Sequence, residues 1–262
     1  MPAQISLRLF SNINSFLIKG LSRNLPKRKL CSEVAKKDVE KKYNYLLVLD
    51  FEATCDKKKI EQEIIEFPCL KINIDTMKEE ATFHHYVKPV KNPHLTVFCT
   101  ELTGIMQETV DNEKVFPDVF RLFEEWREAE GLTDDNSLYV TSGDWDLGHM
   151  LPIQCEMYNI PVPKHMMEWI DIKKLYANNY NYCGSLIDII KAFGLEFQGR
   201  LHSGIDDCKN ILNVLRKLKA MNISLVPTSK LEYTEKGRRV YLYGGKKNSL
   251  PISSIKGAQD VR

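Results

Sequence analysis

The sequence predicts an α/β domain of three layers, with a mixed central sheet flanked by helices. Three observations lead there. The run Tyr45-Leu46-Leu47-Val48-Leu49 is unbroken apolar sequence, the mark of a strand buried on both faces. Ile64 to Ile74 and Thr82 to Val87 read as two more strands, most simply an antiparallel meander with the first. Downstream, short strand patterns alternate with helical ones, which is the α/β arrangement.

Taken in order, residues 1–42 hold ten Lys or Arg against three acids, a net charge of +7, and the first 32 contain no acid. Basic, Ser-containing, acid-free and amphipathic, this arm reads as a mitochondrial presequence; a nuclear address at Pro26-Lys27-Arg28-Lys29 and a disordered arm are the competing readings. The globular domain is placed at residues 43–224. Phe116 to Glu130 is a helix, because Phe116, Val119, Phe120, Phe123 and Trp126 recur at helical spacing and form a core stripe. Ser137 to Thr141 is a short strand. Trp145 to Tyr158 is helical, with Pro152 expected to kink it or delay its start. Glu168 to Ile172 is another short strand. Ser185 to Phe193 is a helix ended by Gly194, and Ile205 to Met221 is the last long helix. Residues 225–262 form a basic C-terminal extension of net charge +5, in which Tyr233 to Tyr243 is either a small hairpin or part of a flexible tail.

At 43% hydrophobic and 27% charged residues, the composition is that of an ordinary globular protein. No stretch approaches the ~18 consecutive apolar residues that span a bilayer, so no membrane partner is expected. Cys31, Cys55, Cys69, Cys99, Cys155, Cys183 and Cys208 are scattered with no Cys-x-x-Cys pair, which argues against a disulfide framework or structural zinc and suggests a reducing compartment. The overall charge of +2 conceals −10 over residues 43–224. Divalent cations would offset part of that locally, and the basic ends could attract a polyanion; merely solvated tails are the equal alternative.

Asp50 and Glu52 close the first strand, and side chains alternate, so both carboxylates point one way and Phe51 the other. Two like charges this close repel, and a divalent cation held by oxygen ligands would relieve them; a strand stopping at a polar turn is the simpler reading. In the last helix, Asp206, Asn210, Asn213 and Lys217 form a stripe facing water, while Asp207, Ile211, Val214 and Leu218 form one facing the core. An unpaired carboxylate on a core stripe is costly, so Asp207, five residues after His202, needs a partner, be it a cation, a basic side chain or the helix N-terminus. A third acidic position lies in Gly143-Asp144-Trp145-Asp146-Leu147, where Asp144 is expected as a helix N-cap. His84 and His85, adjacent in a strand, point to opposite faces, and His94, His149 and His165 sit beside no matching acid set; all five read as structural or exposed, and Cys55, Cys69, Cys155 and Trp145 read as core residues.

Together, Asp50-Phe51-Glu52-Ala53-Thr54-Cys55, then Glu101-Leu102-Thr103-Gly104-Ile105, then Trp145-Asp146, then His202 followed at five residues by Asp207, resemble the histidine-type DEDD (DEDDh) 3′–5′ exonucleases. The Phe-Glu-Ala-Thr-Cys run and the Leu-Thr-Gly-Ile segment are most similar to the Eri-type exoribonucleases, over roughly residues 44–222. The resemblance implies a ribonuclease-H-like fold and a metal-dependent exonuclease that releases nucleoside 5′-monophosphates from the 3′ ends of RNA or single-stranded DNA. It implies that Asp50, Glu52, Asp146 and Asp207 hold two Mg²⁺ or Mn²⁺ ions, and that Glu52 and His202 are the catalytic residues, His202 removing a proton from the attacking water. Substrate contacts would come from Glu52 and His202, from the Ala53 backbone, and from Leu102, Thr103 and Ile105 wedged against the last base.

Three other readings compete. A catalytically silent nucleic-acid-binding scaffold on the same fold would bind without metal-dependent turnover. An oligoribonuclease specific for short oligonucleotides would reveal itself by length preference. A nucleotide-binding oxidoreductase is set aside, because no Gly-x-Gly-x-x-Gly follows the first strand.

Overall fold

The computed structural model describes residues 43–180, 184–234, 237–242 and 250–251. The basic arm at 1–42, and the presequence reading with it, lies outside these residues. Strand β1 (Tyr45–Leu49) is continued past Asp50 and Phe51 by β2 (Glu52–Ala53), and both pair antiparallel with β3 (Ile64–Asn73). Strand β4 (Glu79–Tyr86) pairs antiparallel with β3 and completes the expected meander. Two helices follow that the sequence reading did not anticipate, α1 (Val97–Thr103) and α2 (Gln107–Asp111), each too short to show a helical period. Thr96 starts α1 by accepting the Cys99 N–H on its hydroxyl at 3.0 Å. Helix α3 (Phe116–Ala129) then leads into β5 (Ser137–Thr141), which lies parallel to β1.

The helix expected over Trp145 to Tyr158 is two pieces, a π-helical turn at Asp146–Met150 and α4 (Leu151–Met157). Pro152 has no N–H to continue an α-helical ladder, and the Leu151 N–H before it reaches back five residues to the Asp146 carbonyl. The kink the proline predicted is therefore a widened turn, and Asp146 begins it. Strand β6 (Glu168–Asp171) runs parallel to β5, and α5 (Ile172–Tyr180), α6 (Leu186–Ala192) and α7 (Gly204–Ala220) follow. Ser185 and Asp188 form a reciprocal capping box at the start of α6.

The sheet continues into the segment read as a basic extension. Strand β7 (Ser229–Thr234) pairs antiparallel with β6 and makes a hairpin with β8 (Gly237–Leu242), to which β9 (Leu250–Pro251) adds a short edge. Among the described residues the sheet has nine strands, with β4 beside β3 and the rest in the order β3–β1–β5–β6–β7–β8–β9, β2 lying along β3 in line with β1.

Alternation along β1 divides the core in two. Leu47 and Leu49 join Phe67, Phe116, Phe120 and Phe123 under α3 and α4; Leu46 and Val48 join Ile189, Ile211, Val214 and Leu218 under α6 and α7. The hairpin is part of the first of these cores: Leu231 is 1% exposed and Val240 lies against it. Leu231→Ala should therefore cost about 2–4 kcal/mol of stability by leaving a cavity. Urea unfolding followed by tryptophan fluorescence checks this, and an unchanged midpoint would place the hairpin outside the cooperative fold.

Candidate active site

Four acids and a histidine gather where β1 and β5 end and α7 begins. Asp50 shares the parity of Leu46 and Val48, which puts its carboxylate on the α7 side of the sheet, while Phe51 joins the core under α3. Parallel pairing of β1 with β5 sets the C-terminal ends of both strands side by side, so the turn after β5 brings Asp146 next to Asp50. Asp146 Oδ1 accepts the Phe51 N–H at 2.8 Å, which locks the π-helix onto the β1–β2 junction. Asp207, in the first turn of α7, accepts the His202 N–H on Oδ2 at 3.0 Å. Its Oδ1 is buried with no hydrogen-bond partner.

Helix α7 comes this close because it starts with glycine. A Cβ on Gly204 would lie 2.5 Å from the Asp50 carbonyl oxygen. Two residues earlier, His202 sits at φ +61, a strained state for a side chain of its size. Ligand atoms of Glu52, His202 and Asp207 lie within 4.8 Å of one another as a result.

The site crowds carboxyl groups into a largely buried space. Glu52, Asp146 and Asp207 are 8%, 4% and 4% exposed. Burial, followed by Asp146, Asp207 and Glu52, pushes the Asp50 carboxyl well above the usual range, with Lys173 opposing. Burial, then Asp207, Glu66 and Asp146, does the same to Glu52. Burial pushes Asp146 and Asp207 each up to about 7, against the backbone N–H bonds from Phe51 and His202. Burial and the Arg200 charge pull His202 below the ordinary histidine value, so its imidazole is neutral at neutral pH.

Residues 47–215 match the exonuclease family of the RNase T type. ERI1 exoribonuclease 3 of Homo sapiens is 50% identical over 194 residues, which cover 72% of this chain and 58% of that protein. The nuclease domain of 3′hExo, a DEDDh family member solved bound to rAMP, superposes with a TM-score of 0.70 at 35% identity, over 72% of this chain and 98% of that one. The chain belongs to the DEDDh exonuclease family. A 3′-exonuclease solved for its recognition of the histone mRNA stem-loop gives a TM-score of 0.73 at 31% identity, over 80% of this chain and 96% of that one. The match to the ERI1 exoribonuclease 3 relatives leaves about two fifths of their length outside it.

The DEDDh family implies dependence on a divalent metal, and the side chains here suit one. Three ligand atoms converge, one buried carboxylate oxygen has no partner, and burial raises the acids' affinity for protons, with which a cation would compete. Asp146 and Asp207 titrate near 7 when folded and near the ordinary ~3.9 when unfolded, so between those values the folded state binds more protons. The metal-free protein should therefore lose stability as pH rises from about 4 through about 7. Saturating Mn²⁺ should restore about 5–10 °C of Tm at pH 8 and much less at pH 5, checked by scanning fluorimetry. A Mn²⁺ effect equal at both values would show that these acids are not its ligands.

The segment expected to meet the terminal base is more selective than its sequence implies. Leu102 is partly exposed, whereas Thr103 and Ile105 are 2% and 4% exposed. The Thr103 hydroxyl donates to the Cys99 carbonyl and accepts the Ile105 N–H, and Ile105 packs on Ile65, Cys99 and Val110. Thr103 and Ile105 thus shape the turn from within, and Leu102 is the side chain of the three left most at the surface. Ala53 is 5% exposed and part of the β2 edge. Arg200 escaped the sequence reading. It donates to the Glu101 carbonyl at 2.6 Å and crosses Gly104, where a Cβ would lie 2.6 Å from its Nε, so it ties the His202 loop to the end of α1.

Three further expectations are corrected. Asp144 stands at the head of the helix, its carbonyl accepting the Gly148 N–H at 2.8 Å, but its side chain does not cap: it pairs with Lys174 and accepts from Ser229 Oγ at 2.7 Å and Trp169 Nε1 at 3.2 Å, joining β6 to the hairpin. Asn210 does not face water; it is 1% exposed, accepts the Gln198 N–H and donates to the Gln198 carbonyl. His165, expected beside no acid set, has Glu124 at 3.2 Å from its Nε2.

Proposed function

We propose that the domain is a metal-dependent 3′–5′ exonuclease, acting on RNA first and on single-stranded DNA as a secondary substrate, and releasing nucleoside 5′-monophosphates. The observation that carries this reading is the convergence of Asp50, Glu52, Asp146 and Asp207 beside His202 at one sheet end. The RNA preference is supported by the relatives: one neighbour is described in recognition of an mRNA stem-loop and another bound to rAMP. In this reading the four acids hold two Mg²⁺ or Mn²⁺ ions. The chemistry such ions supply is a more acidic water and stabilisation of charge on the departing 3′ oxygen. Neutral His202 accepts a proton from the attacking water, which its lowered pKa leaves it free to do at pH 7. Glu52 and His202 border the site for the last nucleoside, with the Ala53 backbone at its floor and Leu102 at its rim. The acid-free basic stretch at 1–32 supports mitochondrial delivery, tested by imaging residues 1–42 fused ahead of a fluorescent protein; nuclear signal would refute it.

The test is the purified protein with Mn²⁺ against end-labelled RNA, single-stranded DNA and duplexes of one sequence. Stepwise shortening from the 3′ end, abolished by EDTA, is expected. Binding without turnover would establish the silent scaffold instead, and cleavage confined to the shortest oligonucleotides would establish an oligoribonuclease.

A further inference from the structure

We propose that Glu66 is a positioning residue that holds the catalytic end of α7 against β1, and so sets His202 and Asp207; this rests on the nuclease reading above. Glu66 stands in β3 opposite Glu52 and is 1% exposed, in the company of Ile64, Ile65 and Phe67. A carboxylate buried in such a strand is costly unless its oxygens are bonded. They are. Oε2 accepts the Gly204 N–H at 2.9 Å, Oε1 accepts the Ile205 N–H at 3.3 Å, and His84 Nε2 lies 2.8 Å from Oε1.

These are bonds that a helix normally finds next to itself. The first N–H groups of a helix have no partner within it, and the residue before the first turn commonly supplies one. Ser203 holds that place in α7, and its side chain makes no capping bond. The cap comes instead from another strand, 138 residues earlier in the chain. A neutral hydroxyl would have avoided adding a negative charge beside Glu52 and Asp207, both of which Glu66 pushes up. What the distant carboxylate adds is attachment: it fastens α7 to the sheet where the other acids repel each other. A negative group at a helix N-terminus also interacts favourably with the helix dipole, and His84 supplies a partner on the outer side.

The attachment bears directly on the chemistry. Gly204 lies between Glu66 and the Asp50 carbonyl, since a Cβ on it would be 3.2 Å from one and 2.5 Å from the other. His202 is two residues before this contact and Asp207 three after it, so a shift of α7 here moves both relative to Asp50 and Glu52. Glu66 itself is not in the group of converging ligand atoms. Misplacement by about 1 Å can cost a site about 10²-fold in rate.

The experiment measures steady-state kinetics on end-labelled RNA with Mn²⁺ for Glu66→Gln, Glu66→Ala, His202→Ala and the Glu66→Ala/His202→Ala pair, together with amide exchange at Gly204 and Ile205. Glu66→Gln, which keeps the shape but only one acceptor, should lose about 10-fold in kcat, and Glu66→Ala about 100-fold, each with KM within about 3-fold. Because Glu66 acts through His202 as well as Asp207, adding Glu66→Ala to His202→Ala should cost less than Glu66→Ala costs in the wild-type background. Exchange at Gly204 and Ile205 should quicken in both Glu66 variants. A full multiplicative loss in the double variant, or wild-type kcat in Glu66→Gln with unchanged exchange, overturns the proposal, and the latter holds even should Glu66→Ala fail to fold. An inactive wild type would instead overturn the nuclease reading, and the exchange data would still decide whether Glu66 anchors α7.

Discussion

Asp207→Asn is expected to cut Mn²⁺-dependent hydrolysis by about 10³-fold while leaving the metal-free protein at least as stable as wild type at pH 8. The two halves of that result share one cause. Asn has the shape of Asp and can still accept the His202 N–H, so the loop before α7 keeps its bond. What disappears is a buried charge with an unpartnered Oδ1, in a group of acids that push up one another's pKa. Removing one like charge relieves the folded state above pH 7, where the wild-type carboxyl has lost its proton. The same change removes a ligand atom from the trio of Glu52, His202 and Asp207, so most of the Mn²⁺-induced rise in Tm should vanish. A paired assay of turnover and melting reads both. Retained hydrolysis would break the metal assignment, and a collapse of the metal-free Tm would mean that Asp207 serves the fold rather than the site.

His202→Asn is expected to lose about 10²–10⁴ in kcat, and His202→Ala the same, with folding and Mn²⁺ binding largely preserved. Asparagine is the more informative substitution. Position 202 has φ +61, a left-handed conformation that asparagine adopts more readily than most residues. The backbone bond to Asp207 should survive in it, and only the proton-accepting ring is gone. Equal losses in the two variants would assign the effect to the imidazole. A substantially faster Asn variant would assign it to the loop conformation. A rate near wild type in either would remove His202 as the base.

Much of the fold could be read along the chain because its signals are local. β1 is an apolar run, β3 and β4 follow it at meander spacing, and the stripe at Phe116, Phe120 and Phe123 is a single-helix pattern. Pro152 announced a break whose form, a π turn, depends on which carbonyls the flanking N–H groups can reach. Three of the four acids that gather at this sheet end were legible for a similar reason. Asp50 and Glu52 end a buried strand, and Asp207 opens a core stripe, so each sits where the surrounding pattern calls for an apolar residue. Glu66 met the same criterion inside β3 and could have been found by it.

The hairpin at 229–242 was hidden, because its polar, basic sequence resembles a tail and only pairing with β6 buries Leu231. Arg200 over Gly104, Glu66 under α7, and the inward turn of Thr103 and Ile105 are likewise contacts between segments distant in the chain. Residue order sets periodicity, and periodicity identifies elements and the acids that interrupt them. Which N–H an acid answers, and whether a polar side chain ends inside or outside, depends on packing between elements that no local pattern encodes.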